Sequence, residues 1–342
     1  MKILFLTYFY YDIHVPIVEE MIKQGHEVTI IEDRKIRHDF NSRHQNRLIN
    51  VAKRIIRYFL QSEKRYWDKQ FLLNPVLKSF YDILVCQPGY SFCPYLLKQL
   101  RLYNPNIKSC VMIHDSSNYY NYYHYKDYYN RVYTFDYEDA KRISGVSVLG
   151  AYWVPTVKQD TVYDIVFVGS DHDDRYEIIS KVYPQLENKG INSFIRVVSL
   201  KPVIRQTKRY SLIDYFCRKK QSELIGEWQE KIKKPYVTEN PIAFEAVTGL
   251  INKSNCILET EREGQSGITL RDMWALASGK KILTTNTYLK NVPFYNAEQI
   301  MFIDRENPSI DLSFIKERKD FPLSSHILAQ RIDNWVKRLL EV

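Results

Sequence analysis

Between Leu258 and Asn286 the chain reads LETEREGQSGITLRDMWALASGKKILTTN. Few local structures accommodate that order. An apolar strand end (Cys256, Ile257, Leu258) runs into a polar loop, Glu259 to Gln265, and turns at Ser266-Gly267. Helical spacing then predicts a helix from about Thr269 to Ser278. Gly279 stops it, and a second apolar strand follows from Lys281 to Thr285. The middle of this strand–loop–helix–strand unit is a small-residue loop that leads backbone N–H groups into a helix start. Such a start carries unpaired donors and partial positive charge, which suits a phosphate. Arg271, in the first turn, adds a forked cation that fits a diphosphate. The plain alternative is a glycine that merely precedes a helix and an arginine that faces water.

The same alternation fills the chain. Lys2 to Tyr8 reads as a buried strand, Val15 to Gln24 as a helix closed by Gly25-His26, and Glu27 to Glu32 as a second strand. This βαβ opening predicts a parallel sheet. Strands at Tyr81–Cys86, Ser109–Ile113 and Arg131–Phe135 continue it, with a helix at Pro94–Leu102. A linker is expected over Pro155–Thr161, which has a proline and no periodicity. The alternation then restarts: a strand at Asp164–Val168, a helix at Asp174–Leu186 and a strand at Phe194–Leu200. A helix over Pro241–Ile251 with Pro241 at its first position, a strand at Ile300–Ile303 and a helix at His326–Leu340 complete it. The expected fold is α/β with two Rossmann-like domains, residues 1–155 and 162–325, then a C-terminal helix within 326–342. With 342 residues, the chain is long enough for both.

The run GQSGITLR…ALASGKKILTTN resembles the nucleotide-sugar-binding segment of bacterial glycosyltransferases of the GT-B fold, in particular those of capsule, lipopolysaccharide and exopolysaccharide loci. Phe135-Asp136-Tyr137-Glu138-Asp139 and the run YDIVFVGSDHDDRYEII are similar to two further segments of that group. The resemblance is best over 135–175 and 259–305. It implies a cleft between two domains, a C-terminal helix crossing back to the first, and a donor site built from Gly169, Ser170, Arg175, Ser199, Glu259, Gly264, Gln265, Ser266, Gly267, Thr269 and Arg271. The chain departs from the group at Trp274, where a ribose-binding Glu is usual. Indole offers one donor and no acceptor, so ribose binding would fall to Glu259, Glu261 or Asp272.

In a parallel sheet the ligand crevice lies at the carboxyl ends of the strands. Asp12 and His14 follow the first strand, and His114-Asp115 end another. Asp12, His14 and Asp115 are therefore the candidates for the base that deprotonates an acceptor hydroxyl. A helix cap is the ordinary role for Asp12. Asp171-His172-Asp173 is a DxD triplet of the kind that holds a divalent metal on a nucleotide. It opens a helix, where acidic residues balance the dipole, so no metal site is assigned.

The net charge of +9 suits phosphorylated substrates, an anionic membrane face or nucleic acid. No nucleic-acid-binding module stands out. The segment Arg34–Lys69 is basic and amphipathic and could lie on an anionic leaflet. Seven tyrosines between Tyr119 and Tyr129 offer a sugar platform or a half-buried helix face. Five scattered cysteines read as reduced thiols of a cytoplasmic protein, with a peripheral station on the inner face of the plasma membrane as an extension. The expected activity is a nucleotide-sugar-dependent transferase acting on a saccharide or lipid-linked saccharide, with no cofactor and no required metal. The alternatives are a nucleotide-sugar isomerase or hydrolase of the same fold, and a basic nucleic-acid-binding protein.

Overall fold

The computed structural model describes residues 1–9, 12–33, 62–87, 91–119, 123–202 and 212–341. They fall into two compact units. The first gathers Met1–Val154, Gly264–Ile268 and Leu328–Val342; the second gathers Pro155–Glu263 and Thr269–Ile327.

The first unit holds a six-stranded sheet in the order β2-β1-β3-β4-β5-β6. Its strands are β1 (Lys2–Thr7), β2 (Glu27–Glu32), β3 (Ile83–Cys86), β4 (Lys108–Ile113), β5 (Arg131–Thr134) and β6 (Val146–Val148). Every neighbouring pair is parallel. Ile3 to Leu6 are fully buried, as befits an unbroken apolar run in a sheet covered on both faces. The helices are α1 (His14–Lys23), α2 (Ser62–Leu73), α3 (Pro94–Tyr103) and α4 (Tyr137–Arg142). Trp67 and Phe71 of α2 join Leu96, Leu97 and Leu100 of α3 in one core with Leu4, Leu84 and Val111.

The second unit repeats the plan in the order β12-β11-β10-β7-β8-β9, again all parallel. Its strands are β7 (Tyr163–Ser170), β8 (Ser193–Val198), β9 (Val237–Thr238), β10 (Ser254–Glu259), β11 (Lys281–Thr284) and β12 (Ile300–Phe302). Its helices are α5 (Arg175–Asn188), α6 (Leu212–Lys231), α7 (Phe244–Asn252), α8 (Leu270–Ala277), α9 (Leu312–Lys316) and α10 (Ser325–Leu328). Lys281 is buried; its ammonium donates to the carbonyls of Phe314 and Glu317 and so closes the end of α9. The last helix, α11 (Ile332–Leu340), belongs to the first unit, where the Trp335 indole donates to the Gly150 carbonyl at 2.7 Å.

Strand order reverses beside β1 in the first sheet and beside β7 in the second. Those reversals open a crevice at the carboxyl ends of β1 and β3, and of β7 and β10.

Three local expectations change. Pro241 lies in coil, because α7 begins three residues later at Phe244. The helix expected over His326–Leu340 is two helices. Between them Trp153 N–H donates to Gln330 and Ile332 N–H donates to Trp153, a short parallel bridge that takes the place of helical bonds. The tyrosine run makes a 3-10 turn over Tyr123–Tyr128, and Tyr123 and Tyr129 are buried in the core. Tyr120 and Tyr122, the basic stretch 34–61 and the basic residues Arg205, Lys208 and Arg209 lie outside the described residues.

Candidate functional site

The carboxyl ends of β7 and β10 carry a cluster of buried polar side chains. Glu259, the last residue of β10, is fully buried. Both its carboxylate oxygens accept from Arg271, from Nε at 2.6 Å and from the terminal nitrogen at 2.6 Å. It also accepts from the Thr269 hydroxyl at 3.2 Å and from Thr260 N–H at 3.1 Å. Arg175 stands 3.8 Å away on the other side. Two guanidinium groups thus share one carboxylate. Burial alone would raise the Glu259 pKa, but the charges of Arg271 and Arg175 outweigh it and hold the group below its ordinary range.

Arg175 opens α5 and is itself buried. Its Nε donates to the Thr260 hydroxyl at 2.9 Å, and a terminal nitrogen donates to the Ser170 carbonyl at 2.9 Å. Burial, then the neighbouring Arg271 charge, lowers its pKa to about 10, so it stays cationic at neutral pH. Gly169 makes room for it: a Cβ there would stand 2.9 Å from the Arg175 guanidinium and 3.0 Å from the Phe167 ring. Arg175 thus fills the space over Gly169 and donates to the Ser170 carbonyl.

Thr269 caps α8, and Asp272 completes a capping box by accepting from Thr269 N–H at 3.1 Å. Asp272 is fully buried, and its second oxygen has no hydrogen-bond partner. Burial, then the charge of Glu259, raises its pKa to about 8, which keeps it largely neutral at pH 7. Trp274 is buried and packs edge-on against Phe244, with centroids 4.3 Å apart.

A second network lies beside the first. Arg305 grips Asp174 through one nitrogen, at 2.7 and 2.8 Å, and reaches Glu261 and the Thr285 hydroxyl through another. The DxD carboxylates face different cations: Asp171 meets Lys231 at 3.0 Å and Asp173 meets Arg262 at 3.0 Å. Ser199, assigned to the donor site from the sequence, donates to Asp171 at 2.8 Å, on the β8 side of the sheet. Among the described residues, no group of three or more His, Cys, Asp or Glu is arranged to hold a metal ion.

The loop Gly264–Ile268 groups with the first unit. Gly264 has a positive φ of 78°, and its carbonyl accepts from Asn118 at 2.8 Å. Gln265 is half-buried. Ser266 N–H and hydroxyl both donate to the Asp136 carboxylate, at 3.0 and 2.6 Å. Gly267 lies against the Phe135 ring, where a Cβ would stand 2.2 Å from ring carbons. Asp136 therefore satisfies donors that the sequence offers to a phosphate. Of the eleven donor residues expected from the sequence, Arg175, Glu259, Thr269 and Arg271 converge, Gly169 and Ser170 support Arg175, and Ser199 stands with Asp171.

At the crevice of the first unit the Thr7 hydroxyl bonds Gln87 at 2.7 Å, and Gln87 meets His114 Nε2 at 3.4 Å. This chain links the ends of β1, β3 and β4. Asp12 is exposed, with a positive φ of 54°, and does not cap α1; the cap position is Ile13, which makes no side-chain bond. His14 is buried, stacks on the exposed Phe9 ring at 4.6 Å, and leaves Nδ1 without a partner. Burial lowers its pKa against the opposing charge of Asp12. Asp115 follows β4 in a half-buried turn. Sequence reasoning did not find Thr7, Gln87, Asp136, Thr260 or Arg305. Asp136 stands in the 135–139 segment of the resemblance with no role assigned to it there; Thr7 and Gln87 meet in the first unit, and Thr260 and Arg305 stand in the second, each placed by strand order.

No family model matches the chain, and no curated protein matches it. Solved structures do. A structure described as trehalose-6-phosphate from E. coli bound with UDP-2-fluoro glucose aligns over 100% of this chain and 99% of its own, at 11% identity and a TM-score of 0.52. An alpha,alpha-trehalose 6-phosphate synthase from Burkholderia multivorans aligns over 99% and 97%, at 9% identity and a TM-score of 0.48. Arabidopsis thaliana UGT89C1 complexed with UDP aligns over 99% and 90%, at 10% identity and a TM-score of 0.45. The end-to-end match to the first and the two parallel sheets give this chain the GT-B fold.

Proposed function

We propose that this protein is a glycosyltransferase. It moves a sugar from a nucleoside diphosphate sugar to a saccharide or lipid-linked saccharide acceptor in bacterial surface polysaccharide synthesis, at the inner face of the plasma membrane. The observation that carries the reading is the charge of the β7–β10 crevice: Arg175 and Arg271 share the single carboxylate of Glu259, and Asp272 beside it is largely neutral. Two guanidinium groups on one carboxylate at the carboxyl ends of a Rossmann-like sheet, beside a helix start, fit a diphosphate. The structure described with UDP-2-fluoro glucose has the same fold.

In this reading Arg271 is the working cation. It is partly exposed, whereas Arg175 is buried and fixed by Thr260 and Ser170. Arg271 turns from Glu259 to the diphosphate and stabilises the leaving group as negative charge develops, so the donor reaction needs no metal. Asp12, His14 or Asp115 takes the acceptor proton if the anomeric centre inverts.

The test is a thermal-shift series with UDP, GDP, CDP, CMP and dTDP, each with Mg²⁺ and with EDTA. A nucleotide at about 100 times its Kd should add roughly 2.7 kcal/mol. One nucleotide should raise Tm with EDTA present, and Arg271→Ala should weaken that response, raise donor KM and lower kcat. A response that requires Mg²⁺ would overturn the metal-free donor site. Flat melting curves with every nucleotide would overturn the transferase.

A further inference from the structure

The amino edge of the first sheet, opposite its crevice, carries a surface that the transferase reading leaves unused. Helices α2 and α3 end there. Leu72 and Leu73 at the end of α2 are 77% and 64% exposed, and Leu102 near the end of α3 is 67% exposed. Phe80, just before β3, is 61% exposed. These residues lie on neighbouring helix and strand ends. Phe71 stacks on Tyr103 with centroids 6.2 Å apart, which joins the two helix ends. Asn104 donates to the Ser79 carbonyl at 3.0 Å and accepts from Tyr81 N–H at 2.7 Å, which fixes Phe80 beside α3. A cavity of about 300 Å³ opens among Met1, Phe80, Tyr81, Asn104, Pro105 and Ile107. Large exposed aliphatic and aromatic side chains grouped in this way mark an interaction surface.

The charge around the patch identifies the partner. Residues 62–108 contain seven Lys and Arg against three Asp and Glu. Lys69, Lys78, Arg101 and Lys108 are exposed at the helix ends and strand starts that frame the apolar residues. Asp82, an acid within this face, accepts from Lys2 N–H at 2.6 Å. An apolar centre inside a basic rim suits an anionic phospholipid surface, with the side chains entering the acyl boundary and the cations meeting phosphate groups. Among the described residues, no helix is long and apolar enough to cross a membrane.

We infer that this amino-edge face, centred on Leu72, Leu73, Phe80 and Leu102, docks the protein on an anionic phospholipid bilayer. The inference names the surface for the membrane station proposed above, and it does not depend on the transferase chemistry.

The experiment is sedimentation of the full chain with vesicles of phosphatidylcholine alone and of phosphatidylcholine with phosphatidylglycerol, at low and high salt. The variants are Leu72→Ser/Leu73→Ser and Lys78→Glu/Arg101→Glu. All four positions are exposed, and unchanged melting curves will show that the variants fold. Wild type should sediment with the phosphatidylglycerol vesicles, less so at high salt and far less with phosphatidylcholine alone. Each variant should partition about tenfold more weakly. Wild type that stays in the supernatant with anionic vesicles overturns the inference, as do variants that bind like wild type. If the leucine variant instead turns a wild-type dimer into a monomer without affecting vesicle binding, the face serves a second copy and the inference fails. Nucleotide thermal shifts of the same variants should match wild type, which keeps this outcome separate from that of the donor site.

Discussion

Asp272 and Glu259 lie on either side of the Thr269 hydroxyl, at 3.0 and 3.2 Å, and respond to pH in opposite directions. Glu259 is held below its ordinary pKa, so its contribution to stability is present above the unfolded value and is lost on acidification. Asp272 runs the other way. Its pKa rises from 3.8 to about 8, so between those values the unfolded chain releases a proton that the folded chain retains. Stability therefore falls as pH rises through that window, with a limiting slope of about 1.4 kcal/mol per pH unit. We expect Asp272→Asn, which keeps an acceptor for Thr269 N–H, to flatten urea-denaturation stability between pH 5 and about 8. It should be more stable than wild type at the alkaline end. A variant with the wild-type pH slope would show that Asp272 is ionised in the fold. The sequence names Asp272 only as an alternative ribose ligand; its capping bond and its raised pKa, which follows from burial and then from the Glu259 charge across the helix start, are not disclosed by residue order.

The loop from Gly264 to Ile268 shows the same limit for an element. Its glycines are legible as places where a side chain is not tolerated. What fills the space is not legible, because it comes from far along the chain. Gly267 meets Phe135, and Gly169 meets Arg175. A small-residue loop suggests close approach of a ligand, yet close approach of a ring or a guanidinium leaves the same trace in sequence. Most strands were readable because their apolar runs are local; β6, with three residues, β9, with two, and the break before α11 were not, because each depends on a partner strand. We expect Gly267→Ala to destabilise the protein by about 1–3 kcal/mol, since the Phe135 ring must move off an impossible 2.2 Å contact. Phe135→Leu should recover part of that loss in the double variant. Additive losses in the urea-denaturation cycle would mean that the ring is not what Gly267 accommodates.

At the scale of the whole molecule, the chain order and the packing order differ. The first unit is built mainly from Met1–Val154 but includes the last helix, which follows the entire second sheet in sequence. Helix α11 is held there closely. Trp335 is buried against Tyr152, its indole donates to Gly150, and Gln24 of the segment after α1 donates to the Asp333 carbonyl at 2.9 Å. Tyr133 of β5 donates to the Arg338 carbonyl at 2.9 Å. The final residues therefore complete the core that the opening residues began. Removing the indole should cost about 3–5 kcal/mol, the range for truncating a large buried aromatic, and the cost should fall on the unit that buries it. We expect hydrogen exchange of Trp335→Ala to accelerate across β1, β4 and β5, with β7, β10 and β11 keeping their protection. Equal acceleration in both sheets would show that the units open as one cooperative body. Acceleration confined to α11 would show that the helix is an appendage, with the first sheet stable without it.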